Sequence, residues 1–227
     1  MSATRNPESS ALQRIARDPH SRRKFLALTG GTGVSAALLA ACGDDDEETT
    51  PTTTEEQPMD ETGGDPLADF GEGDLGIVNY ALTLEYLEAG FYAAVIKSGL
   101  FKGDQLALLK VIGDHEAQHV DALTATAKDL GGTPAPEPKA NFPLDSAEEV
   151  VALAATVENL GASAYLGQAA AIQSPDVLAA ALSIHTVEAR HAAVLNTLAG
   201  EPPTPDGAFA VPADAETVLA EVQPFLA

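Results

Sequence analysis

Six side chains suited to metal ligation recur at a fixed spacing in this 227-residue chain: Glu85, Glu116, His119, Glu158, Glu188 and His191. Glu158 follows Glu85 by 73 positions, and Glu188 and His191 follow Glu116 and His119 by 72. The neighbours repeat as well: Leu87 matches Leu160, Ala89 matches Ala162, Tyr92 matches Tyr165, Ile112 matches Ile184 and Leu123 matches Leu195. Each glutamate falls on an otherwise apolar stripe, such as Val78-Leu82-Glu85-Ala89-Tyr92-Ile96 or Leu109-Ile112-Glu116-His119-Leu123-Ala127. The steps are three or four residues, so each stripe is one face of an α-helix. A carboxylate facing a core is costly unless it is paired, protonated or bound to a cation. Four of them carry about −4, and the only nearby base, Arg190, is directed away from the stripe that holds Glu188 and His191. Two divalent ions would neutralise the group.

The elements that must carry these residues are four helices. The pattern predicts helices from about Leu75 to Ser98, Gln105 to Leu130, Ser146 to Gln173 and Pro175 to Gly200, with a short one near Ala215 to Gln223. Asp74, Asp104 and Ser174 are placed as N-caps, and Ser146 with Glu149 forms a capping-box pattern. Gly99, Gly131-Gly132 and Gly200 stand where helices stop. The first and second helices, and the third and fourth, are joined by short links and should form antiparallel hairpins. The proline-rich segment between the hairpins is long enough to cross the bundle. The expected fold is therefore all-α: an antiparallel four-helix bundle with one long crossover, followed by a C-terminal extension, residues 201–227, that carries the short helix.

Composition agrees. Aromatics make up 5% with no Trp, while the helix formers Ala and Leu dominate after residue 75. The formal charge is −22; residues 1–41 hold six of the 12 Lys+Arg and two of the 34 Asp+Glu, which leaves the remainder at −26. Such a surface repels nucleic acid and draws cations. Cys42 is the single cysteine, so disulfides and cysteine metal sites are excluded from the domain.

Residues 1–41 read as an address. Ser21-Arg22-Arg23-Lys24-Phe25-Leu26 precedes an apolar stretch too short and too rich in Gly and Ala for a spanning helix. The paired arginines suggest twin-arginine export. Leu39-Ala40-Ala41-Cys42 is similar to a bacterial lipobox, which makes Cys42 the expected lipid attachment site. Residues 42–73, acidic and rich in Thr and Pro, are expected to be a solvated tether. The bundle would then occupy residues 74–200, exported and held at the cell envelope by lipid alone.

From Asp74 to Gly200 the chain resembles the ferritin-like superfamily of di-iron and di-manganese carboxylate proteins. Its Leu84-Glu85-Tyr86-Leu87-Glu88-Ala89 run is similar to the group that includes desiccation-related proteins. The resemblance implies two Fe or Mn ions, with Glu85 and Glu158 as terminal ligands, Glu116 and Glu188 as bridging ligands, and His119 and His191 supplying one imidazole each. It places Tyr92 beside the centre as a candidate catalytic residue. For Tyr165 a packed core tyrosine is an equal alternative.

Glu88, one turn beyond Glu85, could replace or supplement it, but its counterpart in the repeat is Gly161 and it sits at the edge of the stripe, so it ranks second. His115 and His185 lie off the main line and read as partly exposed histidines. His115-Glu116-Ala117-Gln118-His119 also fits the H-E-x-x-H zinc-peptidase pattern. The second copy has Val187 in place of His115 yet keeps Glu and His, which argues against that reading. Oxygen-rich ligands with one imidazole per ion suit Fe or Mn. The expected activity is therefore oxidation of Fe(II) or removal of O2 or peroxide in envelope stress protection. The alternative is a metal-binding stress protein without turnover. A lipid tether on every subunit leaves oligomers open but disfavours a closed storage cage.

Overall fold

A computed structural model describes residues 65–227; the expected export signal, Cys42 and most of the tether lie outside the described residues. Five α-helices follow, with no strand among the described residues: α1 (Gly73–Ser98), α2 (Gly103–Asp129), α3 (Ala147–Gln168), α4 (Pro175–Ala199) and α5 (Ala215–Val222), the last continued by a 3-10 turn at Gln223–Phe225. α1 packs along α2, and α3 along α4, as the two hairpins; the pairs meet where α1 faces α3 and α2 faces α4.

Helix ends follow local chemistry. Gly99 and Gly200 close α1 and α4 in the left-handed conformation that only glycine enters without a Cβ penalty. Ser146 and Ser174 cap α3 and α4, each accepting a hydrogen bond from a backbone N–H three residues on. Asp74 and Asp104 lie inside the first turns of α1 and α2, each two residues beyond the actual caps Glu72 and Lys102. Asp74 has a different partner: its carboxylate accepts from the backbone N–H groups of Gln173 and Ser174, which ties the start of α1 to the start of α4. α3 stops at Gln168, short of the expected Gln173, because the chain must turn within Ala169–Gln173 to enter α4.

The crossover runs the length of the bundle. Near its start Asn79 of α1 donates to the Thr133 carbonyl and accepts from the Ala135 N–H. Near its end the backbone of Lys139–Asn141 bonds the C-terminal residues Phe225 and Ala227. The stretch from Asp65, read as the end of the tether, instead turns and packs: Phe70 meets Tyr80 edge-on and its carbonyl accepts from Asn79.

Two apolar layers fill the bundle ends. One gathers Val78, Leu82, Leu123, Ala127, Ala181 and Ile184; the other gathers Phe91, Val95, Leu109, Ile112, Val151 and Leu195. The ligand-type residues lie between them. α1 is buried on two faces, because α5 lays Ala215, Val218 and Val222 against Tyr80, Leu84 and Leu87. α3 is long and apolar enough by composition to cross a membrane, but Val150, Val151, Ala154, Ala155 and Ala164 on it are buried in the core of the bundle.

Candidate metal centre

Helix period brings the six residues to one level. Glu85, Glu116, Glu158 and Glu188 are each fully buried, and His119 and His191 are nearly so. They form two overlapping quartets: Glu85, Glu116, His119 and Glu188 in one, and Glu116, Glu158, Glu188 and His191 in the other. Within each, one ligand atom from every residue lies within 4.8 Å of the rest, a span an ion can occupy. Glu116 and Glu188 belong to both.

The distances show how closely the group is drawn. His119 Nδ1 stands 2.9 Å from Glu116 Oε2, 3.1 Å from Glu188 Oε1 and 3.2 Å from Glu85 Oε2. His191 Nδ1 stands 2.9 Å from Glu116 Oε1 and 3.2 Å from Glu158 Oε2. The two oxygens of Glu116 thus face different histidines. Tyr165 donates its hydroxyl to Glu85 at 2.6 Å, so the tyrosine left open between core and centre does both. Tyr92 lies at the same level, hydrogen-bonded to Glu158. Glu116 Oε1 and Glu188 Oε1 stand within ion-pair distance of an imidazole nitrogen but accept no well-directed hydrogen bond, and Glu188 Oε2 has no partner of either kind. Buried carboxylate oxygens without well-directed donors, converging with imidazole nitrogens, are a fit for cations.

Proton positions make the same point. Burial pushes the Glu85 carboxyl up to about 7, and hydrogen bonds from His119 and Tyr165 only partly oppose it. Burial and neighbouring carboxylates hold Glu188 well above the usual carboxylate range, and burial raises Glu158 too. For Glu116 burial is outweighed by hydrogen bonds and charge from His119 and His191, which bring it down to about 2. Against their own burial the carboxylates raise His119 to about 12 and His191 to about 9. Without a metal the cluster gathers protons as its positive charge. The ion pairs to these carboxylates among the described residues all come from His119 and His191.

The off-line residues separate. His185 is half-buried and bonds the Ala162 carbonyl, away from the centre. His115 is half-buried and in neither quartet; its Nδ1 lies 2.9 Å from His191 Nε2, with the rings stacked. It therefore orients a quartet histidine instead of pairing with His119 as a zinc ligand. Glu88 is buried at the same level as the six, although the single-stripe reading put it at an edge. The missed signal was the second apolar face of α1.

No curated protein sequence matches the chain. Residues 73–201, the span of α1 to the end of α4, match the family described as the ferritin-like domain. More than half of the chain is covered, and the bundle with its Glu/His cluster is what that match leads one to find, so this chain belongs to the ferritin-like domain family.

Proposed function

We propose that the bundle holds two Fe or Mn ions, one in each quartet, and acts as an oxidoreductase on Fe(II), O2 or peroxide in protection of the cell envelope. The observation that carries this reading is the pair of overlapping quartets, buried between apolar layers with histidine as their only cationic partner among the described residues. Glu116 and Glu188 serve as the shared carboxylates, Glu85 and Glu158 as terminal ligands, and His119 and His191 as one imidazole per ion. Two ions of this kind, each changing by one charge, supply the two electrons needed to reduce peroxide or begin O2 reduction.

The remaining roles belong to the chain. Tyr92 and Tyr165 hold Glu158 and Glu85 in place by hydrogen bonds. The apolar layers exclude water above and below, which strengthens every charge interaction between them. A surface pocket of about 210 Å³, lined by His115, Gln118, His119 and Val187, offers a route from solvent to the histidine side. The net negative charge of the chain draws cations toward it.

Location is part of the proposal: the paired arginines and the lipobox-type cysteine support twin-arginine export and a lipid anchor at Cys42. Stopped-flow measurement of O2 consumption, after Fe(II) is added to the metal-free protein, tests the activity. Oxidation of Fe(II) well above the protein-free rate is expected. Two bound ions without turnover would remove the enzyme and leave a metal-binding stress protein.

A further inference from the structure

The two halves of the centre differ at one buried position. In the repeat, Glu88 of α1 corresponds to Gly161 of α3, and the two lie against each other. A Cβ built on Gly161 would stand 2.6 Å from Glu88 Oε1 and 3.3 Å from Glu188 Oε2. Glycine at 161 therefore vacates the space that the Glu88 carboxylate fills. Glu88 is 3% exposed, and none of the hydrogen bonds or ion pairs among the described residues reaches it. Beside it Glu188 Oε2 is orphaned. On its other side lies a mostly apolar cavity of about 90 Å³, walled by Leu84, Leu87, Phe91, Leu160 and Val222. An ionised carboxylate in such a place, beside a second unpartnered carboxylate oxygen, is strongly unfavourable unless a proton or a metal cation lies between them, and a centre built to hold two ions supplies the latter.

We infer that Glu88 is a fifth carboxylate ligand, sharing with Glu188 one of the two ions. This rests on the two-ion reading and adds to it that the ion positions are inequivalent: one has an additional carboxylate from α1, and the other has no counterpart of it, because the repeat puts a glycine, Gly161, at the matching position of α3. The five carboxylates bring −5 to the centre, one charge more than two divalent ions cancel. The position Glu88 serves therefore favours an ion that can carry a third charge.

Co(II), whose visible absorption reports coordination number, is the probe, titrated into the full metal-free chain with stoichiometry checked by elemental analysis. The unaltered protein is expected to bind two Co(II). Glu88→Gln is expected to keep one at full affinity and to bind the other roughly tenfold or more weakly, with a changed absorption band. Gly161→Ala keeps the carboxylate but puts a methyl in its place, and is expected to show the same loss. Thermal melting of the metal-free variants reports folding, and Glu88→Gln should melt no lower than the parent, because a buried unpaired carboxylate has been removed. If Glu88→Gln does not fold, Gly161→Ala decides alone by the same criteria. Two Co(II) bound with parental affinity and spectrum in the folded variants would overturn the fifth ligand and leave the two-ion centre standing. No Co(II) bound by the unaltered chain would overturn both.

Discussion

Tyr92 of α1 donates its hydroxyl to Glu158 of α3 across the bundle, 2.5 Å from oxygen to oxygen. Tyr165 of α3 returns the bond to Glu85 of α1 at 2.6 Å. The two tyrosines thus exchange partners between hairpins, each steadying the terminal glutamate of the other half. Burial and the adjacent carboxylates raise both phenols well above their usual range, so they remain donors at any physiological pH.

Replacing either tyrosine by phenylalanine leaves a buried carboxylate oxygen without its donor. Tyr92→Phe and Tyr165→Phe should each lower the stability of the metal-free protein by about 1.5–3 kcal/mol, the range for a hydrogen bond to a charged group. Urea unfolding followed by circular dichroism measures this, and an unchanged midpoint would show that the tyrosines are only packed.

The quartets predict unequal effects of losing a glutamate. Glu116 belongs to both, so Glu116→Ala should abolish binding of both ions, whereas Glu85→Ala and His191→Ala should each spare one. Metal content per chain, measured after loading and gel filtration, separates these outcomes. Two ions retained by Glu116→Ala and His191→Ala alike would show the ligand assignment to be wrong.

Metal-free and loaded protein should respond oppositely to pH. The Glu85 proton, held to about 7 against 4.5 in the unfolded chain, contributes stability that is complete below 4.5 and lost as pH rises through 7. His191, raised from 6.5 to about 9, contributes fully below 6.5 and loses this as pH passes 9. Glu116 acts the other way, contributing above 4.5 and losing it only as pH falls toward 2. The metal-free protein should therefore melt lower from about pH 5 to about pH 9, at roughly 2–4 °C per kcal/mol for a chain of this size. Metal binding displaces those protons, so the melting temperature gained on loading should grow over the same range. Calorimetry with and without Mn(II) checks both slopes.

The C-terminal segment docks through close backbone contact. Ala213 donates its N–H to the Ser163 carbonyl, and its own carbonyl lies where a side chain on Gly167 would begin. Gly167→Ala should push that segment off α3 and destabilise the domain by about 1–3 kcal/mol. Faster hydrogen exchange in α5 than in α2 of this variant would locate the loss.

Export is testable apart from the centre. Cys42→Ser should move the protein from the membrane fraction to the soluble one, and Arg22→Lys with Arg23→Lys should leave it inside the cell. Fractionation of the producing bacterium with immunodetection reads both.

Much of the centre was legible because helix period and internal repetition reinforce one another. Glu85, Glu116, His119, Glu158, Glu188 and His191 each sit on a stripe whose phase is set by apolar neighbours, and each has a counterpart 72 or 73 positions away. Glu88 ranked second because it lies between two apolar faces of α1, and the second is covered in part by α5 and by Phe70, which lie outside the repeat. The contact of His115 with His191 was hidden for a similar reason. It depends on how α2 crosses α4, which no local pattern encodes. Asp74 likewise has the composition of a cap, yet it accepts its bonds from a loop about 100 residues away.

Each quartet takes three residues from one hairpin and a single glutamate from the other: Glu188 reaches into the first and Glu116 into the second. Neither hairpin can complete a coordination set alone, so a bound ion would work as a clasp between halves that are otherwise joined by packing, the crossover and a few side-chain bonds such as those of Tyr92, Tyr165 and Asp74. Cutting the chain within Pro134–Pro138 should thus give two fragments that separate readily when stripped with a chelator and stay together when loaded. The centre would then decide whether the molecule behaves as one body or two.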